Sequence, residues 1–440
     1  MQNLVMFGWA RTVDVRARRQ LMMTMQAYIT KNGRVQLRRR AARIQLFPAV
    51  GSALAIGLFV ACAAYGVLWL ITPTSNVAAA PIDLTKVALT VVAGVGGVVA
   101  LVIAYRRQRD LERGRFVERF GAAAAQLGAT DVAVRLAGVY ALTVVADESD
   151  EPHRQQCIEV LCGYLRLPYY ASQGANHQTK RIRKWHDSHE QPESDVEDHF
   201  EYRQNDREVR ATIVRVIADH LRPGAEYGWS ANDFDFRTAH LENVDFSRAT
   251  FSGDARFDRA TFSGGTLFDG VTFFGDADFG SATFSGDTRF DRATFSRNAD
   301  FRRTTFSDDA GFFKAIFSRN TQFIEATFSG TARFGGVTFV EDAWFGGATF
   351  SMVADFGGAT FSKDADFSCA TFSRDAEFDE ATFSRNTRFE KVDFGDALAS
   401  FRDPKQWGPP APVFDWDGDV TRKPANVEPQ DWPPTTRTVS

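Results

Sequence analysis

The residues best equipped to hold a metal lie in one polar stretch, "GANHQTKRIRKWHDSHEQPESDVEDHFEYRQND", which carries His186, Asp187, His189, Glu190 and His199. Imidazoles and carboxylates at close spacing are a zinc-type donor set. A metal site also needs a rigid element to fix its ligands, and this stretch shows no periodicity and no cysteine partner. It reads as a loop or disordered insert over about 171–205, with no metal expected. Cys157 and Cys162 are five apart, close to one helix face, and read as core residues rather than a redox pair. With Cys62 and Cys369 they form no C-x-x-C pattern, which suits a reducing compartment. No Ser-His-Asp set, phosphate loop or paired carboxylates stand out, so neither catalysis nor a cofactor is expected.

The strongest signal is a repeat. From Phe251 to Phe394 phenylalanine recurs at gaps of six and five in strict alternation, a period of eleven repeated thirteen times. Two residues before each of these rings stand only Ala (nineteen), Thr (five) or Val (three). An eleven-residue period could mean a right-handed coiled coil, but gaps of five and six scatter the rings over several helix faces. The filling of Gly, Ser, Asp and Thr is also poor for helix. On extended backbone, residues i and i−2 point the same way. Each Phe and its small partner therefore face inward, and stacked coils make a ladder of Phe251, Phe257, Phe262, Phe273, Phe284, Phe295 and Phe306. The ladder continues through Phe317, Phe328, Phe339, Phe350, Phe361, Phe372 and Phe383. Outward threonines at eleven-residue spacing are β-favourable ladder residues.

One outward position breaks the polar pattern. Trp344 stands where neighbouring repeats carry Arg, Asp or Glu, with Val340, Met352, Asp355 and Asp366 close in sequence. An exposed aromatic among carboxylates is a candidate protein-contact site; the competing reading is a lone surface hydrophobe with no role.

The stretch "FDFRTAHLENVDFSRATF" places Phe236, Leu241, Phe246 and Phe251 five apart, with Ala239, Val244 and Ala249 at i−2. This resembles the pentapeptide-repeat family, and the six-and-five block resembles its Phe-rich "ATFSGDARF" branch. The resemblance implies a right-handed, four-sided β-helix over 226–397. Four Phe per coil would give 22 residues rather than 20, with an extra residue at alternate corners. About 6.5 such coils at ~4.8 Å make a rod of roughly 31 Å. Some members of the family resemble duplex DNA in shape and charge and bind DNA gyrase. The repeats from 249 to 396 are net acidic, 23 acids to 15 bases, yet arginines such as Arg256, Arg289 and Arg333 interrupt the unbroken negative columns a mimic wants. The same acidity argues against direct nucleic-acid binding.

The elements that would carry these repeats lie upstream. No charge occurs between Arg43 and Asp83, and Val50–Ile71 and Val87–Tyr105 are each long enough to span a hydrocarbon core. Arginines flank the pair, "RRRAAR" before and "RRQRDLERGR" after, so both ends are expected in the cytoplasm. The segment 46–105 thus reads as a transmembrane hairpin that anchors a multi-pass protein in the cell membrane. It follows a basic cytoplasmic segment, 1–45, with ten Lys/Arg and one acid. From 106 to 225 amphipathic helices dominate, with Gly128 closing one, Thr130 or Asp131 capping the next, and Val209, Ile213, Val216 and Ile217 sharing a face. They suit a small bundle or HEAT-like stack. The string "RFVERFGAAAAQLGATDVAVRLAGVYALTVVA" resembles the module of membrane-anchored bacterial pentapeptide-repeat proteins. A Pro-rich tail, 398–440, brings Trp407, Phe414, Trp416 and Trp432 to cover the last coil, with dimerisation through that end as the competing solution. The resulting expectation is a non-enzymatic, membrane-anchored scaffold or regulator with an unidentified cytosolic protein partner. A gyrase modulator of the DNA-mimic type and a purely structural repeat without a specific partner are the alternatives.

Overall fold

Inward phenylalanines dictate where the chain must return. In the computed structural model, which describes residues 81–169, 180–187, 194–201 and 205–437, Ala277 pairs in parallel with Ala255 on one side and Ala299 on the other. One turn is therefore 22 residues. Thirty-odd strands of two or three residues form four parallel sheets, one per side of the solenoid, over about eight turns. We number these faces in chain order. The first runs from Phe234–Asp235 to Val413–Phe414, and the second from His240–Glu242 to Thr371–Phe372. The third runs from Thr266–Leu267 to Val427–Glu428, and the fourth from Thr250–Phe251 to Gln406–Trp407. Eight turns at ~4.8 Å give about 38 Å, longer than the repeats alone because the tail adds its own irregular strands.

Packing inside is regular. Phe257 lies 4.8 Å face-on from Phe279, which lies 4.9 Å from Phe301. Rings in opposed columns meet edge-on, as Phe268 meets Phe279 at 5.7 Å and 84°. Both geometries suit the ring quadrupole, at about 0.5–1.5 kcal/mol per pair beyond burial. The alanines at i−2, such as Ala255 and Ala343, are likewise buried. Two kinds of corner alternate. At the five-residue corner the Phe257 carbonyl accepts from the Ala260 amide at 2.9 Å, and Arg259 takes the left-handed conformation, φ 58°. At the six-residue corner a side chain carries the link between turns: Asp254 Oδ1 accepts from the Asp276 amide, and Asp276 Oδ1 from the Asn298 amide. At Gly275 a Cβ would come within 2.2 Å of the Gly253 carbonyl oxygen, whereas the next turn carries Arg297 at the same position.

Helices precede the solenoid. The chain divides into two compact units at Arg115/Phe116. Helix α1, Pro81–Leu127, runs unbroken, so that Val87–Tyr105 is helical. Among the described residues no helix is long and apolar enough to cross a membrane, and Val50–Ile71 lies outside the described residues. Gly128 follows the last turn of α1, and Asp131 caps α2, Val132–Glu148, accepting from the Ala133 amide at 2.7 Å. Helices α3, Glu151–Leu165, and α4, Asp206–Leu221, pack with α2 through Val139, Leu142, Ile158, Leu161, Ile213 and Ile217, all fully buried. They close the first turn. Trp229 is buried, stacks on His220 at 4.2 Å and donates from Nε1 to Asp147, while Gln155 donates to the Asp233 carbonyl.

The polar insert is not structureless. Lys180–Asp187 and Ser194–Glu201 pair antiparallel. The register sets Lys180 opposite Glu201, Arg183 opposite Asp198 and Lys184 opposite Glu197, so a basic strand lies along an acidic one. Apolar periodicity misses such a hairpin because charged residues dominate both strands.

At the far end the tail supplies the last strands. Phe414 stacks on Phe389 at 4.7 Å, and Trp407 meets Phe383 edge-on. Trp432 then lies across the opening, edge-on to Phe401, Trp407 and Phe414. A core this regular predicts a sharp contrast between inward and outward substitutions. Phe345→Ala removes a buried ring between Phe323 and Phe367 and is expected to cost about 3–5 kcal/mol. Outward Thr349→Ala should cost less than about 1 kcal/mol. Urea unfolding of the full chain measures both, and equal losses would contradict the stacked core.

Candidate interaction surface

The chemistry-bearing residues fall into three places: a cleft below the helices, the thiols, and the four faces. In the cleft, where α4 meets the second face, the Tyr169 hydroxyl donates to Glu242 Oε1 at 2.6 Å and Arg207 Nε meets Glu242 Oε2 at 2.8 Å. The Arg210 guanidinium lies 4.3 Å over the Tyr169 ring. Burial holds the His240 imidazole below its usual range, and its Nε2 is 3.1 Å from Ser263 Oγ. Burial, then the Glu242 contact, push the Tyr169 phenol upward. The volume is about 150 Å³, below the several hundred that hold a typical small-molecule ligand. Each of these groups is occupied by a neighbour, as befits a joint.

Behind it lies a buried ionic cluster. The Asp206 carboxylate accepts from Arg135 at 2.7 Å, from Arg210 Nε at 2.8 Å and from the Tyr164 hydroxyl. Arg210 also donates to the carbonyls of Leu165 and Leu167. The cluster ties α2, the end of α3 and the start of α4 together. Sequence periodicity passed over Arg135 because it reads as a surface residue on an apolar helix; only its burial reveals it.

Cys157 and Cys162 are buried, and burial pushes their thiols up to about 11 and about 12. Cys369 is exposed at a left-handed corner, and Cys62 lies outside the described residues. On the hairpin, His186 faces Asp195 and His199 faces Ile182. The two histidines are thus four rungs apart, about 13 Å along the strands. His189 and Glu190 lie outside the described residues. Among the described residues no group of three or more His, Cys, Asp or Glu is placed to hold a metal.

The faces sort residues by column. In a 22-residue turn, positions eleven apart fall on opposite faces and only positions 22 apart are stacked. Trp344 accordingly sits on the first face, flanked in register by Gln322 and Asp366. Asp355 is on the third face between Arg333 and Glu377. Met352 is at the corner leading to that face, and Val340 follows the strand Thr338–Phe339 of the fourth. Of the five residues grouped by sequence, the structure stacks Trp344 only with Asp366. The second face repeats Thr261, Thr283, Thr305, Thr327, Thr349 and Thr371 in register. Charge is concentrated on the first and third faces, where Arg302 pairs with Asp300 at 2.6 Å and Arg333 with Asp309 at 2.6 Å.

The family model for pentapeptide repeats, nine copies long, matches residues 236–282, 268–316, 312–360 and 345–393. The solenoid is built of pentapeptide repeats. No curated protein and no solved structure matches the chain. A pentapeptide-repeat solenoid with both ends closed offers its lateral faces, and the thiol positions let that burial be checked. With native chain at pH 8, a maleimide should label Cys369 and spare Cys157 and Cys162. A thiol at about 11 is ionised there to roughly one part in a thousand. Labelling of all three at similar rates, read by peptide mass spectrometry, would refute the packing of α3.

Proposed function

We propose that the chain is a non-enzymatic scaffold or regulator that presents the pentapeptide-repeat solenoid for protein–protein contact, held at a membrane by 50–71 and 87–105. The observation that carries this is the closure of both ends. Helices α2–α4 cover the first turn and Trp432 the last, which leaves the sides as the free β surface. Those sides are rigid, because every turn repeats the same inward rings. Outward residues can vary there without disturbing the core, which suits recognition. The membrane part rests on the two uncharged apolar runs and their flanking arginines.

Mixed charge favours this reading over DNA mimicry. Along the first face Arg256 and Arg388 bracket Asp278, Asp300 and Asp366, and Gln322 and Trp344 separate Asp300 from Asp366. A supercoiling assay with gyrase and the full chain separates the two, since inhibition at micromolar chain would favour the mimic.

Trp344 on the first face is the recognition residue this reading nominates. Proximity labelling from a tagged chain in its own cells is expected to return a defined set of cytosolic proteins. Trp344→Ala should lower capture of at least one of them about tenfold or more. A set unaltered both by this change and by loss of 226–440 would remove the scaffold reading.

A further inference from the structure

Two outward columns of the third face change sign along their length, while Asp269, Asp291 and Asp309 pair with the early arginines and Lys405 and Arg437 pair with Glu380. The outward strand column reads Leu267, Arg289, Gly311, Arg333, then Asp355, Glu377, Ser400, Glu428. The next corner column reads Arg292, Lys314, Gly336, Gly358, Glu380, Asp403, successive turns being joined by amide-to-carbonyl bonds. Both columns are basic in the earlier turns and acidic in the later ones. Gly335, Gly336, Gly357 and Gly358 keep the middle low. Two exposed large hydrophobic residues, Phe313 and Met352, rim the same face. Glu377 has no cationic partner among the described residues, and burial together with Asp355, Asp379 and Asp375 pushes its carboxyl upward.

A strip that is basic at one end and acidic at the other is complementary to itself when reversed. We propose that the third face is the contact between two copies of this chain, packed antiparallel about a two-fold axis that passes between Arg333 and Asp355. In that register Arg333 meets Asp355 of the second copy, Lys314 meets Glu380, and Arg292 meets Asp403. Asp291 meets Arg402. Each contact occurs twice, as a two-fold requires. Glu377 falls over Gly311 of the other copy, between its Arg289 and Arg333. Glycine lies over glycine at the centre, so the backbones approach closely. One like-charge pair, Asp309 with Asp375, falls at the rim, where Arg333 already holds Asp309 at 2.6 Å. The strip spans about six turns, roughly 29 Å, which is the scale of a small, reversible interface. The contact is lateral and leaves the Trp432-covered end free. It goes beyond the scaffold reading and uses different residues, so it stands whether or not Trp344 binds anything.

Zero-length carbodiimide cross-linking of the full chain in detergent, at roughly 50 μM, tests it. Within one chain Lys314 and Glu380 are three turns apart, about 14 Å, too far for direct coupling. A Lys314–Glu380 cross-link therefore reports two copies. Lys405, at 3.6 Å from Glu380 in the same chain, supplies the internal control. The expected result is a cross-linked dimer carrying the Lys314–Glu380 peptide, weakened at high salt. Arg333→Asp should reduce it at least tenfold, and the double exchange Arg333→Asp with Asp355→Arg should restore it. Circular dichroism confirms that these exposed variants remain folded. The proposal is overturned by a monomer with only the Lys405–Glu380 link, or by a dimer that ignores Arg333→Asp and cross-links through the tail.

Discussion

Ring stacking at a fixed spacing is the constraint on which the rest of this molecule depends. A parallel ladder sets successive turns about 4.8 Å apart, and phenylalanine rings packed face-on need 4.8–4.9 Å along the column of Phe257, Phe279 and Phe301. The two distances coincide, so backbone hydrogen bonds and aromatic contacts are satisfied by the same translation. Residue size is then dictated across the tube. From Ala249 to Val392 the inward positions two before each ring hold nothing larger than Val, and Ala255, Ala277 and Ala299 fill one such column, which the larger Phe234 begins at the first turn. A larger residue would meet its own copy one turn away. The inner residues are thus coupled down the whole rod, and the outer ones are not.

Such a ladder is open at both ends, and each end is closed by a different device. Helices α2–α4 supply a conventional apolar core, with Asp206 and two arginines fixing how the helices meet. Breaking such a cluster strands a buried charge, which is costlier than the cluster's own net stabilisation. It therefore acts chiefly to specify one arrangement. The tail uses the solenoid's own chemistry, replacing Phe by Trp407 in one column and continuing another with Phe414. Its strands pair at lengthening intervals, Ala376 with Ala399 and then Ala399 with Val427, because proline-rich corners need longer loops.

Much of this was legible in the residues. The six-and-five alternation, read with a small residue at i−2, yields a solenoid and a choice of 20 or 22 residues per turn. Ladder pairing decides for 22. The helices of 116–221 follow from period and caps, Asp131 among them. What escaped was whatever depends on partners distant in sequence. The strands 180–187 and 194–201 pair basic residues with acidic ones in register, a pattern that apolar periodicity does not detect. Arg135 is buried by residues up to 71 positions away. Grouping Trp344 with Asp355 and Met352 treated nearness in sequence as nearness in space, whereas an eleven-residue step is half a turn.

That half-turn rule changes how a surface in this fold must be read. Successive repeats look alike because inward positions recur every five or six residues, but the outward positions belong to four interleaved columns. Read along the chain, 320–396 is simply more acidic than 249–319, with thirteen acids and six bases against ten and nine. Read by column, the asymmetry acquires direction. On the third face the sign reverses at Arg333 and Asp355, adjacent rungs of one ladder, while the second face keeps its uncharged threonines throughout. A core that demanded particular outward charges would have imposed one pattern on all four sides. The faces differ, so the core leaves their charge free to vary.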